Sequence, residues 1–282
     1  MNYNQTKVYL PLSQQKINLF ILWKQMFCEL IKSREIIWRL FLRDFIAGYK
    51  QSLLGFLWVI IMPLIMVASF IFLNRSGILN IGKTEIPYPV FALVGLSIWQ
   101  LFASGLVSCT NSIVTSGGLI TKINFPKESL VFSSIAQSLL EFTIRIAFLV
   151  IVFIVFNVYP SWKIIFLPLI LIPLLLFTLG LGFLFSLLNV VIRDIANFVS
   201  LFVTFLLFIT PVLYPQPSSR LFVIINKFNL PGILTTSARD IVITGSIPQL
   251  TSFIYASTLC LFIFVICWTI FHIVEPIVAE KF

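Results

Sequence analysis

Three places in the sequence hold residue types that could do chemistry. "GILNIGKT", Gly77 to Thr84, matches the G-x-x-x-x-G-K-[ST] pattern letter for letter; between a strand and a helix it would cradle nucleotide phosphates. Glu141 and Arg145 lie inside "SLLEFTIRIAFLVIVFIVF" (138 to 156), which is otherwise nearly all hydrocarbon. A lone buried acid there suggests a proton relay, and an acid with a cation beside it a structural pair. The single histidine, His272, could ligate a metal or move a proton if carboxylates or cysteines came near it. Which of these chemistries is open depends on the elements that hold the residues.

Those elements belong to a membrane protein. Hydrophobic residues make up 59% of the 282 and charged ones 10%, with a mean hydropathy of +1.06, whereas an ordinary soluble domain is about 25% charged. Apolar runs long enough to cross about 30 Å of hydrocarbon occur at about 53 to 73, 88 to 108, 129 to 156, 163 to 191, 196 to 215 and 250 to 274. The runs are continuous rather than alternating, and a helix satisfies its own backbone inside lipid. The expected fold is therefore an all-α integral membrane protein with six transmembrane helices: residues 1 to 52 form a cytoplasmic tail, residues 53 to 282 the membrane domain, and no soluble domain of any size is left over.

Lysine and arginine set the orientation. Lys7, Lys16, Lys24, Lys32, Arg34, Arg39, Arg43 and Lys50 all precede the first span, which places that end in the cytoplasm, and six spans return the C-terminus there. Inner segments then add Lys122, Lys127, Arg193 and Lys281, against Arg75, Lys83, Lys163, Arg220, Lys227 and Arg239 outside. The net charge of +9 is concentrated beside a span, which fits anionic lipid rather than nucleic acid. The N-terminus lacks the pattern of a cleavable signal. Cys28, Cys109, Cys260 and Cys267 have no metal or redox spacing and read as small apolar packing residues, without disulfides.

Residues 29 to 45, "ELIKSREIIWRLFLRDF", put Lys32, Glu35, Arg39 and Arg43 on one helical stripe and Ile37, Phe41 and Phe45 on another. This predicts an amphipathic helix in the headgroup layer with Trp38 at the interface, serving as an anchor or a docking surface; Gly48 then lets the chain turn into the first span. The nucleotide-loop match fails in this setting. A span precedes it, Pro87 and Pro89 disfavour a following helix, and the topology puts it outside the cell. His272 ends the last span with no cysteine or carboxylate pair nearby in sequence, which reads as an interfacial residue. The ten acidic residues are scattered singly, unlike the acidic clusters of a metal-dependent glycosyltransferase. Secondary transport would show an internal repeat or paired broken helices, and neither is visible. A channel or a transporter subunit driven from outside remains.

Here the motifs resemble a known family. "LRDFIAGYKQSLLGFLWVIIMP" (42 to 63), "GGLITKINFPKESL" (117 to 130), "LNVVIRDIANF" (188 to 198), "TPVLYP" (210 to 215) and "ARDIVITGSIP" (238 to 248) are similar, in the same order, to blocks of the type 2 ABC exporter permeases for O-antigen, capsule and teichoic acid. Two positions depart locally: Gly48 stands where members usually have Arg, and "NLPGIL" (229 to 234) where members have Asn-Pro-Met.

The resemblance implies a half-transporter, not an enzyme, with no cofactor of its own. Two copies would form the pore in the bacterial inner membrane, above two copies of a separate ATPase subunit, and export a lipid-linked polysaccharide, most simply O-antigen. It implies ATPase coupling through Arg34, Arg39, Arg43 and Asp44 and through Lys122, Phe125, Pro126, Lys127 and Glu128. An inner loop after span 4 would hold Arg193 and Asp194. The apolar pieces at about 221 to 228 and 233 to 244 are too short to span; they predict interfacial or re-entrant helices at an outer gate with Tyr214, Arg239 and Asp240. The 30 Phe, 7 Tyr and 6 Trp suit sugar C–H faces, although packing and lipid account for most aromatics in spans. An acid at 141 matches the family and Arg145 departs from its smaller residues, which favours a local Glu141–Arg145 pair over a proton relay. Rival readings are a related exporter of drugs or other lipids, and a stand-alone channel or scaffold.

Overall fold

Each long apolar run folds as helix in the computed structural model, which describes residues 19–50, 55–78, 82, 84–123, 125–216 and 219–279. The helices are α1 (Leu19–Lys32), α2 (Arg34–Lys50), α3 (Trp58–Arg75), α4 (Tyr88–Thr115), α5 (Gly117–Ile120), α6 (Glu128–Val155), α7 (Leu167–Val191), α8 (Ile195–Ile209), α9 (Arg220–Phe228), α10 (Leu230–Ile243) and α11 (Leu250–Ala279). No strand occurs among the described residues. Lys7, Lys16, Lys281 and the Leu79, Asn80, Ile81 and Lys83 positions of the nucleotide-loop match lie outside them.

Five of these helices, α3, α4, α6, α7 with the turn before it, and α11, are long and apolar enough to cross a membrane. The fifth expected span is shorter than its apolar run. Helix α8 has 15 residues, about 22 Å at 1.5 Å per residue. It stops because Thr210 precedes Pro211, whose ring pushes the residue before it out of the helical region; Thr210 is extended at φ −82° and ψ 133°. The chain does not leave the protein there, since Thr210, Val212 and Leu213 are all buried.

Helix α4 is the centre of the bundle. In its most apolar stretch 83% of residues are buried, against 11% in α3, because α3, α6, α7, α8 and α10 all pack on it. Helix α7 lies between α4 and α11, and glycines let it approach both. A Cβ on Gly182 would stand 2.6 Å from the Cβ of Cys109 in α4, and one on Gly180 would stand 2.8 Å from the Cα of Phe264 in α11. Cys109, Cys260 and Cys267 are buried and unbridged, and Cys28 is exposed.

Three expectations change. The amphipathic segment is two helices rather than one, broken at Ser33, which is buried. Its stripes survive: Lys32, Glu35, Arg39 and Arg43 are exposed and Phe41 is buried. Helix α2 runs through Gly48 to Lys50, so Gly48 makes no turn. Pro87 and Pro89 begin a helix instead of preventing one. Pro87 is the N-cap of α4 and Pro89 lies in its first turn, where a missing N–H costs nothing. The rejection of the nucleotide loop then rests on what precedes it, the helix α3 in place of a strand.

The close approach of α7 generates a prediction. Gly180→Leu should overpack the α7–α11 contact at a cost of about 1–3 kcal/mol, lowering the thermal midpoint of the detergent-solubilised protein. Gly118→Ala, whose Cβ would meet nothing within 4 Å, should leave it unchanged.

Candidate functional site

Among the described residues charged side chains gather at the two ends of this apolar bundle, with the Glu141–Arg145 pair between them. At one end, α2 lies on the start of α6, and Arg43 Nη2 donates to Ser116 Oγ at 3.2 Å just past the end of α4. Arg43 also pairs with Asp44 at 2.7 Å. The link between α4 and α6 is anchored from the far end of the chain: the Lys127 N–H donates to Glu275 Oε1 at 2.7 Å, and Glu128 Oε1 lies 2.8 Å from His272 Nδ1. Phe125, Lys127 and Glu128 are buried, with the Lys127 ammonium 5.6 Å from the Phe125 ring centroid. Of the expected coupling residues, Arg34, Arg39 and Lys122 stay exposed and Pro126 is half-buried. Among the described residues Arg39 pairs along its own helix, with Glu35 at 2.6 Å.

His272 is thus not simply interfacial. Glu128 and Glu275 bring ligand-type atoms within 4.8 Å of it and of each other, so a carboxylate pair is present. Sequence spacing could not reveal it, because Glu128 and His272 are 144 positions apart. Asn189 was also missed. Buried at the end of α7, it donates through Nδ2 to the Thr110 carbonyl at 3.1 Å and accepts from the Ala196 N–H at 3.2 Å. It ties the turn between α7 and α8 to α4, and an Asn near the end of an apolar run was the available signal. Arg193 and Asp194, in that turn, are exposed.

Between the ends, Arg145 Nη2 donates to Glu141 Oε2 at 3.1 Å, with side chains 7% and 18% exposed. The pair lies four residues apart along one face of α6.

At the other end, α10 packs on α4, α7 and α11, and its N-cap holds it to α8. Asn229 Oδ1 accepts from the Gly232 N–H at 3.1 Å, and its Nδ2 donates to Thr210 Oγ1 at 2.7 Å. Arg239, buried on α10, donates from Nη1 to the Pro211 carbonyl at 2.8 Å and from Nη2 to Asp240 Oδ1 at 3.2 Å. Its guanidinium carbon sits 4.2 Å above the Phe91 ring centre at the start of α4. Burial lowers the Arg239 pKa and raises that of Asp240, and their attraction opposes both shifts. Tyr214 is half-buried, its hydroxyl on the Phe208 carbonyl and its ring 6.0 Å from Phe222 of α9. The structure brings Tyr214, Arg239 and Asp240 to the same end of the bundle. A cavity of about 540 Å³ opens beside Arg239, between α9, α10 and the start of α11.

Five long apolar helices, with polar contacts gathered at their ends apart from the Glu141–Arg145 pair, define a multi-pass membrane protein. Comparison with known proteins gives its family. The ABC-2 type transporter family model matches residues 35–243, and the chain belongs to that family as a permease component. It is 31% identical over 211 residues to the O-antigen export system permease protein RfbA of Klebsiella pneumoniae, covering 73% of this chain and 79% of that one. To the RfbA protein of Myxococcus xanthus it is 31% identical over 191 residues, covering 66% and 71%.

Two predictions follow from these contacts. Arg145→Ala alone should lower the thermal midpoint more than Glu141→Ala with Arg145→Ala together, since breaking a buried pair costs about 3–5 kcal/mol while removing both partners can cost little. Equal losses would mean that the two residues act separately. Arg239→Lys should lose nearly as much stability as Arg239→Leu, because an ammonium cannot meet the Pro211 carbonyl, Asp240 and the Phe91 face at once.

Proposed function

We propose that this chain is the membrane subunit of an ATP-driven exporter of lipid-linked polysaccharide, with O-antigen as its cargo. The similarity to O-antigen export permeases over about three quarters of the chain carries the reading. In it, two copies form the channel in the bacterial inner membrane and two copies of a separate ATPase subunit dock beneath them. The end bearing the α4–α6 link faces the cytoplasm, as do both termini. Helix α8 with the buried segment 210–213 serves as the fifth of six spans, α1 and α2 lie at the inner surface, and α9 and α10 stand at the outer mouth.

In this reading the coupling residues fall into two groups. Arg34, Arg39 and Lys122, exposed on α2 and the α4–α6 link, would meet the ATPase. Arg43, Lys127 and Glu128, bonded to Ser116, Glu275 and His272, with Phe125 beside the Lys127 ammonium, would pass motion inward. Charge reversal should separate these roles. Purification from native membranes in mild detergent should recover a stoichiometric soluble ATPase; Arg39→Glu with Lys122→Glu should reduce its recovery at least several-fold while the permease stays folded. Clean isolation of the unaltered chain alone, in several mild detergents, would overturn the reading in favour of a stand-alone channel or scaffold.

A further inference from the structure

The cluster of Glu128, His272 and Glu275 does more than fasten two helices: its donor set is that of a metal site. One ligand-type atom from each residue lies within 4.8 Å of the other two, and Glu128 Oε1 is 2.8 Å from His272 Nδ1. Ligands about 2.1 Å from a tetrahedral ion stand about 3.4 Å apart, so these groups need move only about an ångström to share one. His272 and Glu275 are three residues apart on α11 and so lie on one helical face, with Glu128, the first residue of α6, against them. The Glu275 carboxylate is held from outside the cluster. The Lys127 N–H donates to its Oε1 at 2.7 Å, an outer bond of the kind that orients metal ligands, and other lone pairs of the carboxylate stay available.

The charge of the cluster favours a cation. Glu29 also lies within electrostatic reach of His272, and Lys127 within reach of Glu275. With three acids against one lysine and one histidine, the formal charge is negative whether or not the imidazole is protonated. A divalent ion removes that excess. The Glu128 side chain is 2% exposed and that of His272 20%, so an ion can enter past the imidazole and keep a water on its open side. Beneath the cluster, Trp268 lies one turn down α11, edge-on to Phe27 and Phe132 and stacked on Phe183. These rings make an apolar floor that keeps water from competing for the ion.

We infer that Glu128, His272 and Glu275 form a binding site for one divalent transition-metal ion per protomer, with zinc as the ion. An imidazole among the ligands selects zinc over magnesium, which takes oxygen donors. Two bare acceptors would repel at 2.8 Å, so a proton lies between Nδ1 and Oε1; the ion takes its place and the proton passes to solvent. The bound ion pins the start of α6 to the end of α11. The site goes beyond the export reading and does not depend on it.

The test uses the full chain, with any ATPase that accompanies it, purified without a histidine tag, stripped with a chelator and placed in nanodiscs without nucleotide. The exposed Cys28 thiol could take zinc by itself, so every protein carries Cys28→Ser. Zinc, manganese and magnesium chlorides are titrated in by calorimetry, and cobalt replaces zinc as an optical probe. One zinc per permease chain should bind, more tightly than manganese and with no uptake of magnesium, and should raise the thermal midpoint by mass action. His272→Gln and Glu275→Gln should each weaken zinc at least tenfold and remove the visible band of four-coordinate cobalt. Glu275→Gln keeps an acceptor for the Lys127 N–H, so its metal-free thermal midpoint should stay where it was. Zinc binding that neither substitution weakens, a preference for magnesium, or zinc that leaves the midpoint unmoved would overturn the site. None of these results depends on recovery of an ATPase, so the site and the export reading fail separately.

Discussion

Helix α4 is enclosed by α3, α6, α7, α8 and α10, and lipid supplies no hydrophobic drive to bring helices together. Its neighbours must therefore hold by fit. The places where α4 is thin decide the fit: a Cβ on Gly95 would stand 2.8 Å from the Val212 carbonyl oxygen, and one on Gly105 about as near to Ile135. The hydroxyls on α4 do not disturb this, because Ser97, Ser104 and Thr110 each donate to a carbonyl four residues back in the same helix. With its sides filled, α4 meets polar side chains from other elements near its two ends among the described residues.

That division explains what the sequence could and could not reveal. Hydrophobic length is local, so the long runs, the exposed stripe of α2 and the two short helices between 220 and 243 were all legible. Where a run ends is a matter of single residues, and the same rule about proline acted in opposite directions. Pro211 truncates α8 by constraining Thr210, while Pro87 and Pro89 sit where a helix begins and cost it nothing. Contacts between distant positions were not legible. Glu141 and Arg145, four apart on one helix, could be paired by counting; Glu128, His272 and Glu275 meet because α6 begins where α11 ends, and no spacing encodes that.

The exposed apolar surface is uneven. Phe198, Leu201, Phe205 and Phe208 project from α8, and Met62, Ile65 and Phe72 from α3; these faces require lipid or a second chain against them. The Glu141–Arg145 pair, by contrast, balances its own charge along α6, so a dimer would not be needed to neutralise it. Its insertion cost, about 2.5–3.5 kcal/mol for a central charge on its own, is offset within α6.

On the export reading, the contacts at the α4–α6 link also constrain how movement can spread. Lys127 and Glu128 join the start of α6 to the end of α11, Arg43 joins α2 to the end of α4, and Asn189 joins the α7–α8 turn to α4. A push on the link therefore cannot be absorbed by one loop; it must tilt packed helices or break these hydrogen bonds, of which the buried Asn189–Thr110 bond is the costliest to lose. Helices α4, α7 and α11 continue to the opposite end, where α10 packs on all three. A tilt of those helices changes the seat of α10, and with it the Arg239–Pro211 bond and the cavity beside it. This is a physical path between the two ends through packed elements, of the kind that coupling requires, and it makes α10 the element whose position should report the state of the link.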